Sequence, residues 1–153
     1  MTRVGFVKLV VVAGVASLFT GCFGPTLPDY KPKELEKDAR AVTVAKSTPY
    51  NCKLLGETEG RDDSENKSAP TPQKIREGAM NDLRNNALAV GGNKRSVVAI
   101  TREEVICEKT SSSFFGLFTS KSTYDCTKQA SIPGDTKVLH HTIYGQVFDC
   151  GDK

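Results

Sequence analysis

The chain has 153 residues, with 21 basic side chains against 18 acidic ones and a formal charge of +3. That balance, with no dense Lys/Arg cluster, gives no electrostatic footprint for DNA or RNA, so nucleic acid is excluded as a partner. The length supports one small domain plus a leader, and a domain that small gains noticeably from crosslinks among its five cysteines.

Residues 1–21 read as a secretory leader. Arg3 and Lys8 form its positive start, Leu9 to Phe19 its apolar run, and Gly21 the small residue before a cut. The run falls short of the roughly 20 apolar residues that a comfortable membrane span needs, so removal is expected. Residues 18–22, "LFTGC", resemble the lipobox of bacterial lipoproteins, with Phe19 standing where Leu, Val or Ile is commoner. In that motif the cysteine receives diacylglycerol on sulfur and becomes the acylated amino terminus. The resemblance makes Cys22 the expected lipidation site and the membrane a partner through that anchor. Phe23 follows where an aspartate would favour inner-membrane retention, so the expected address is the outer membrane, facing the periplasm.

Residues 22–40 carry Pro25, Pro28 and Pro32 among alternating charges and read as a tether. Fully extended, such a segment reaches up to about 50 Å at ~3.1 Å per residue. The folded domain is placed at residues 41–153. It opens with two short strands, "AVTVA" at 41–45 and "CKLLGETEG" from Cys52 to Gly60, and residues 61–71 lack large apolar side chains and read as an exposed loop.

The helix signal is the clearest. Thr71 suits the N-cap, Pro72 the first helical position and Gly91–Gly92 the stop. Ile75, Ala79, Leu83, Ala87 and Val90 recur at helical spacing and form the core-facing stripe, while Arg76, Glu77, Arg84 and Asn85 face outward or to the rim. Strands are then expected in "RSVVAITREEVICEK", with a bulge or exit at Arg102 to Glu104, in "STYDCTKQA" and in "TIYGQVFDC". The fold class is α+β: a small, mostly antiparallel sheet of four to five strands with one helix on one face, stapled by two disulfides.

Lipobox, "CKLLGETEG", "AMNDLRNNALAVGGN" and "YGQVFDC" together resemble a family of small bacterial lipoproteins carrying a domain of unknown function. That family is related in turn to the outer-membrane lipoprotein that senses envelope damage for the Rcs phosphorelay. The resemblance runs from about Thr43 to Gly151 and implies a disulfide-stapled sheet under one helix, with no catalytic activity.

With Cys22 acylated, Cys52, Cys107, Cys126 and Cys150 remain, an even number suited to two disulfides in an oxidising compartment. Their spread, without a C-x2-C pair, argues against zinc. Cys107 and Cys126 flank a hairpin-like excursion, while Cys52 begins an early strand and Cys150 ends the last. Cys52–Cys150 with Cys107–Cys126 is therefore favoured. A loose alignment to the stress sensor points instead to Cys52–Cys126 with Cys107–Cys150.

Residues 110–122, "TSSSFFGLFTSKS", place Phe114, Phe115, Leu117 and Phe118 in a Ser/Thr-rich excursion. Exposed together they form an apolar patch of the kind that marks a protein or membrane contact. His140 and His141 are adjacent, point to opposite faces of an extended chain and are expected at the rim, sharing no ion. Glu103, Glu104 and Glu108 read as a solvated strand face. No nucleophile elbow, thiol-exchange pair or zinc-peptidase motif occurs, so neither catalysis nor a cofactor is expected. The expected function is contact with an envelope protein, as a stress sensor or adaptor. The alternatives are a structural envelope lipoprotein and, behind it, a small-ligand or metal binder.

Overall fold

A computed structural model describes residues 26–92, 95–112, 118–129 and 131–151. Its elements are a 3-10 turn (Asp38–Ala41), β1 (Thr43–Ala45), β2 (Lys53–Asp63), α1 (Pro72–Ala89), β3 (Ser96–Ser112), β4 (Thr119–Asp125) and β5 (Thr136–Asp149). The strands form one sheet in the order β1-β3-β5-β2, with β4 pairing the far half of β3. The short β1 runs parallel to β3, and every other pairing is antiparallel. The expected α+β architecture, one helix on a five-stranded sheet, is the one observed.

The helix forms where its end signals stand. Thr71 Oγ1 accepts from the Lys74 N–H, and Pro72 fills the first helical position, whose missing N–H has no intrahelical partner in any case. At the other end Gly91 has φ 97°, and the N–H groups of Gly91 and Gly92 close on the carbonyls of Leu88 and Ala87. That is a Schellman stop, which a residue with a Cβ would strain.

Ile75, Ala79, Leu83 and Ala87 are fully buried, and the last three pack with Val42, Val98, Ile143 and Val147. A second cluster joins Ile75 to Tyr30, Val138, Cys107 and Cys126. The helix lies close because Gly60 leaves room for it: a Cβ there would sit 2.1 Å from the Leu83 backbone nitrogen. Helix side chains also cover the outer edge of β2, where Asp82 Oδ2 accepts from the Arg61 N–H and the Asn86 amide donates to the Glu59 carbonyl. Unpaired strand edges invite pairing with other chains, and these two side chains occupy this one.

The disulfides are Cys52–Cys150, which closes the end of the sheet where β2 starts and β5 finishes, and Cys107–Cys126, buried between β3 and the end of β4. The pairing favoured from strand positions is the one formed. The alternative would need Cys52 at one end of the sheet to meet Cys126 at the other.

Two stretches differ from the sequence reading. Residues 61–63 continue β2, Ser64 is fully buried, and its N–H and hydroxyl donate to the carbonyls of Leu139 and Val138. A short polar side chain can be core when its partners are backbone carbonyls. The segment read as a tether docks along α1 from Pro28 onward. Tyr30 and Ala39 are buried, Asn81 and Asn85 donate to the carbonyls of Lys33 and Glu34, and Arg84 donates to those of Arg40 and Val42. The folded body therefore begins near Pro28 and not at residue 41. The polar flank of the helix that looked solvent-facing is the surface on which this strap lies. Cys22 and the leader lie outside the described residues.

Candidate functional site

The helix covers one face of the sheet and leaves the other open. Alternation along β5 sends Ile143 and Val147 toward the helix and Tyr144 and Gln146 to the open face, opposite Glu59 and Glu57 of β2. On β3 a bulge between Ile100 and Arg102 resets the alternation, so Arg102 pairs with Tyr144. The extra residue, Thr101, turns its hydroxyl to the Tyr144 carbonyl at 3.2 Å. The bulge foreseen near Arg102 is present, one residue earlier than the polar break.

This resetting builds a small constellation. The Arg102 guanidinium lies over the Tyr144 ring, 4.2 Å from its centroid, and pairs with Glu104 at 2.7 Å, while the Tyr144 hydroxyl donates to the same carboxylate at 3.1 Å. Cation and ring hold each other through the negative face of the aromatic. Beside them a shallow trough of about 500 Å³ is lined by Glu57, Glu59, Thr101, Arg102 and Tyr144. Carboxylates, a guanidinium and a phenol fixed on a rigid sheet suit recognition of a polar, charged surface. They offer no nucleophile paired with a base.

A second polar group lies under the helix. Glu103, read as part of a solvated face, accepts two bonds from Arg76, at 2.9 and 2.6 Å, and its carboxylate meets His141 Nε2 at 2.9 Å. His141 is buried, which corrects its expected place at the rim. Arg76 holds the Glu103 carboxyl below the usual range, against the opposing effect of its burial. Burial also depresses the His141 pKa, outweighing the nearby carboxylate. With Glu103 ionised and acceptor-only, His141 is neutral and carries its proton on Nε2. His140 faces the opposite way, as expected, and is half-buried with an unpartnered Nδ1.

A third group latches the strap. The Tyr30 hydroxyl donates to buried Asp62 at 2.6 Å, and the Lys33 N–H donates to the same oxygen at 3.0 Å. Burial and the Asp62 carboxylate push the Tyr30 phenol well above its ordinary pKa. Gly78 makes the approach possible, since a Cβ there would collide with Asp62.

Both internal networks were missed in the sequence. Parity was the available signal for His141, because it shares its strand face with Ile143 and Val147. Nothing local marked Asp62 or Glu103, whose partners come from the strap and the helix.

The described parts of the excursion, residues 110–112 and 118–122, belong to a projecting arm of β3 and β4. Lys109 to Ser112 and Phe118 to Thr123 are exposed, Phe118 at 77%. Phe114, Phe115 and Leu117 lie outside the described residues. Among the described residues no cluster of three or more His, Cys, Asp or Glu is placed to hold a metal ion, and no helix is long and apolar enough to cross a membrane.

Residues 33–150 match the family described as a domain of unknown function, DUF4156. The chain belongs to that family. The match takes in the strap from Lys33 onward, the helix, the described strands and both disulfides, while Pro28 and Tyr30 lie ahead of it. No curated protein and no solved structure matches the chain.

Proposed function

We propose that this DUF4156 protein is an outer-membrane-anchored periplasmic lipoprotein that acts through protein contacts, as a stress sensor or adaptor, and carries out no chemistry. The observation that carries the reading is "LFTGC" at residues 18–22, directly ahead of a body closed by two disulfides. Acylation at Cys22 supplies the anchor, since each buried methylene adds about 0.8 kcal/mol and several chains on one terminus hold firmly. The resemblance to small bacterial lipoproteins supports the address and the architecture, and does not carry the Rcs role across.

The protein partner docks on the open sheet face, where Glu57, Glu59, Arg102 and Tyr144 present fixed charges and an aromatic ring. Phe114, Phe115, Leu117 and Phe118, between β3 and β4, form a second contact surface. Intact mass of the membrane-extracted protein tests the address: acyl chains on residue 22 and four oxidised cysteines are expected. A photo-crosslinking residue at Glu59 in living cells tests the contact, with one discrete adduct expected. Absence of any adduct, together with a diffuse permeability defect on deletion, replaces the adaptor by a structural envelope component.

A further inference from the structure

The arm and the start of the folded body lie at the same end of the sheet. The Pro28 carbonyl accepts from the Ser68 N–H at 2.9 Å, and the Tyr30 N–H donates to Ser68 Oγ at 2.9 Å. This loop sits against the start of β5, where Ser64 donates to the Leu139 carbonyl and Lys137 Nζ donates to the Lys67 carbonyl. Those first residues of β5 pair with the base of the arm: Val138 with Cys107, Lys137 with Glu108, Thr136 with Lys109. The chain thus enters the domain beside the arm, while Cys52–Cys150 closes the opposite end.

From this geometry, and resting on the reading of Cys22 as a lipid anchor, we infer that the end of the arm at Phe118 seats in the lipid surface that holds the anchor. The protein is then attached at two points, with its open sheet face turned aside from the membrane.

Two lengths bring the contact within reach. The links from Cys22 to Pro28 span about 20 Å when fully extended, at ~3.3–3.6 Å per residue, so the entry end of the domain stays within that distance of the headgroups. Beyond its last pairing with β5 the arm continues through Thr110, Ser111 and Ser112. That adds about 10 Å at ~3.4 Å per residue, and Phe118 adjoins Thr119, the partner of Ser112 in the last pair. The arm thus projects from the end of the domain that the leash keeps near the bilayer.

Chemistry agrees with lipid. From Thr110 to Ser112 and Phe118 to Ser120 the arm carries no charge, and Lys121 behind them pairs its ammonium with Glu108 at 3.0 Å, toward the arm's base. The surrounding end bears both signs, Lys67 and Lys137 against Asp63 and Asp135, so the contact rests on apolar burial and not on attraction to anionic lipid.

The sequence contains no tryptophan, so Phe118→Trp creates a single reporter. Full-length acylated F118W is reconstituted into phosphatidylethanolamine–phosphatidylglycerol vesicles, with Tyr50→Trp as control, since Tyr50 is 85% exposed and lies beside Cys52 at the far end. The expected result is blue-shifted F118W emission that brominated acyl chains quench and salt leaves unchanged, with Y50W unaffected. Water-like, unquenched F118W emission from protein that remains anchored overturns this inference alone. A blue shift in native outer membrane but not in protein-free vesicles overturns it too, by showing a protein groove around the arm. Protein without acyl mass that stays in the aqueous phase brings down the anchor reading and this inference with it.

Discussion

His141 and Glu103 meet beneath the helix, Nε2 to carboxylate at 2.9 Å, with the imidazole almost wholly buried and the carboxylate also clamped by Arg76. Both groups have folded-state pKa values below their ordinary ones. For His141 the unfolded chain takes up a proton as pH falls through about 6.5 while the folded one resists, so stability declines with acid from there. For Glu103 the contribution is present above the ordinary carboxylate range and is lost as pH falls through and below it. The melting temperature is therefore expected to fall in two steps between pH 7.5 and 3, each pKa unit of displacement being worth about 1.4 kcal/mol. His141→Gln should reduce the upper step, which half-buried His140 shares because burial lowers its pKa too, and leave the lower one, measured by circular dichroism melts across pH. A profile unchanged by H141Q would mean that the imidazole titrates elsewhere or not at all.

Gly60 is where the helix touches the sheet backbone to backbone. A methyl there would lie 2.1 Å from Leu83 N and 2.2 Å from the Ala79 carbonyl, neither of which moves without shifting the helix. Gly60→Ala is expected to cost at least ~1–3 kcal/mol, the usual loss from overpacking. Gly134→Ala, with nothing near its would-be Cβ, should be neutral or slightly stabilising. Chemical denaturation of the two variants separates them.

The two disulfides differ in access. Cys107 and Cys126 are buried in the cluster with Ile75 and Tyr30, whereas Cys52 and Cys150 are half-exposed. Since thiol exchange needs an approaching thiolate, dithiothreitol should open Cys52–Cys150 first, with stepwise alkylation and mass spectrometry as the readout. On chain entropy the longer loop is worth ~4.7 kcal/mol against ~3.3 for the shorter. Replacing Cys107 by Ser also puts an unpartnered hydroxyl into an apolar cluster. The C107S variant should consequently lose at least as much stability as C52S, reversing the order that loop length gives.

Phe118 stands clear of both core clusters, and the exposed arm residues on either side make no core. Changing Phe114, Phe115 and Phe118 together to Ser is expected to leave the thermal melt almost unchanged while weakening membrane or partner retention. A large drop in melting temperature would place these rings in the packing of the domain.

Elements whose cause is local were legible. Thr71, Pro72 and Gly91 fix the helix within its own sequence, and the β-branched run from Val97 to Ile106 fixes the central strand. Cys52 and Cys150 could be paired because each sits at a strand end that an antiparallel sheet brings together. What escaped depended on partners far along the chain. Asp62 and Ser64 look like loop residues until Tyr30 and the start of β5 arrive to bond them, and Glu103 looks solvated until the bulge at Thr101 turns it under the helix. The strap escaped for the same reason: its few apolar residues matter less than its backbone, which Asn81, Arg84 and Asn85 hold.

That strap gives the last prediction. Asp62 is 2% exposed and depends on the Tyr30 hydroxyl and the Lys33 N–H to replace water around one oxygen. Removing a hydrogen bond to a buried charged group costs about 1.5–3 kcal/mol, and Tyr30→Phe removes one without changing the ring that packs on Ile75. The loss should be local first, because the strap makes no sheet pairing before Thr43 and opens without breaking any backbone pairing of β3 with β5. In hydrogen exchange, the strap amides that accept shelter from α1, such as Glu36 on Asn85 Oδ1, should exchange faster in Y30F while amides of the central strands keep their protection. Uniform loss of protection through the sheet would show instead that strap and sheet open as one unit, and that the latch secures the whole domain.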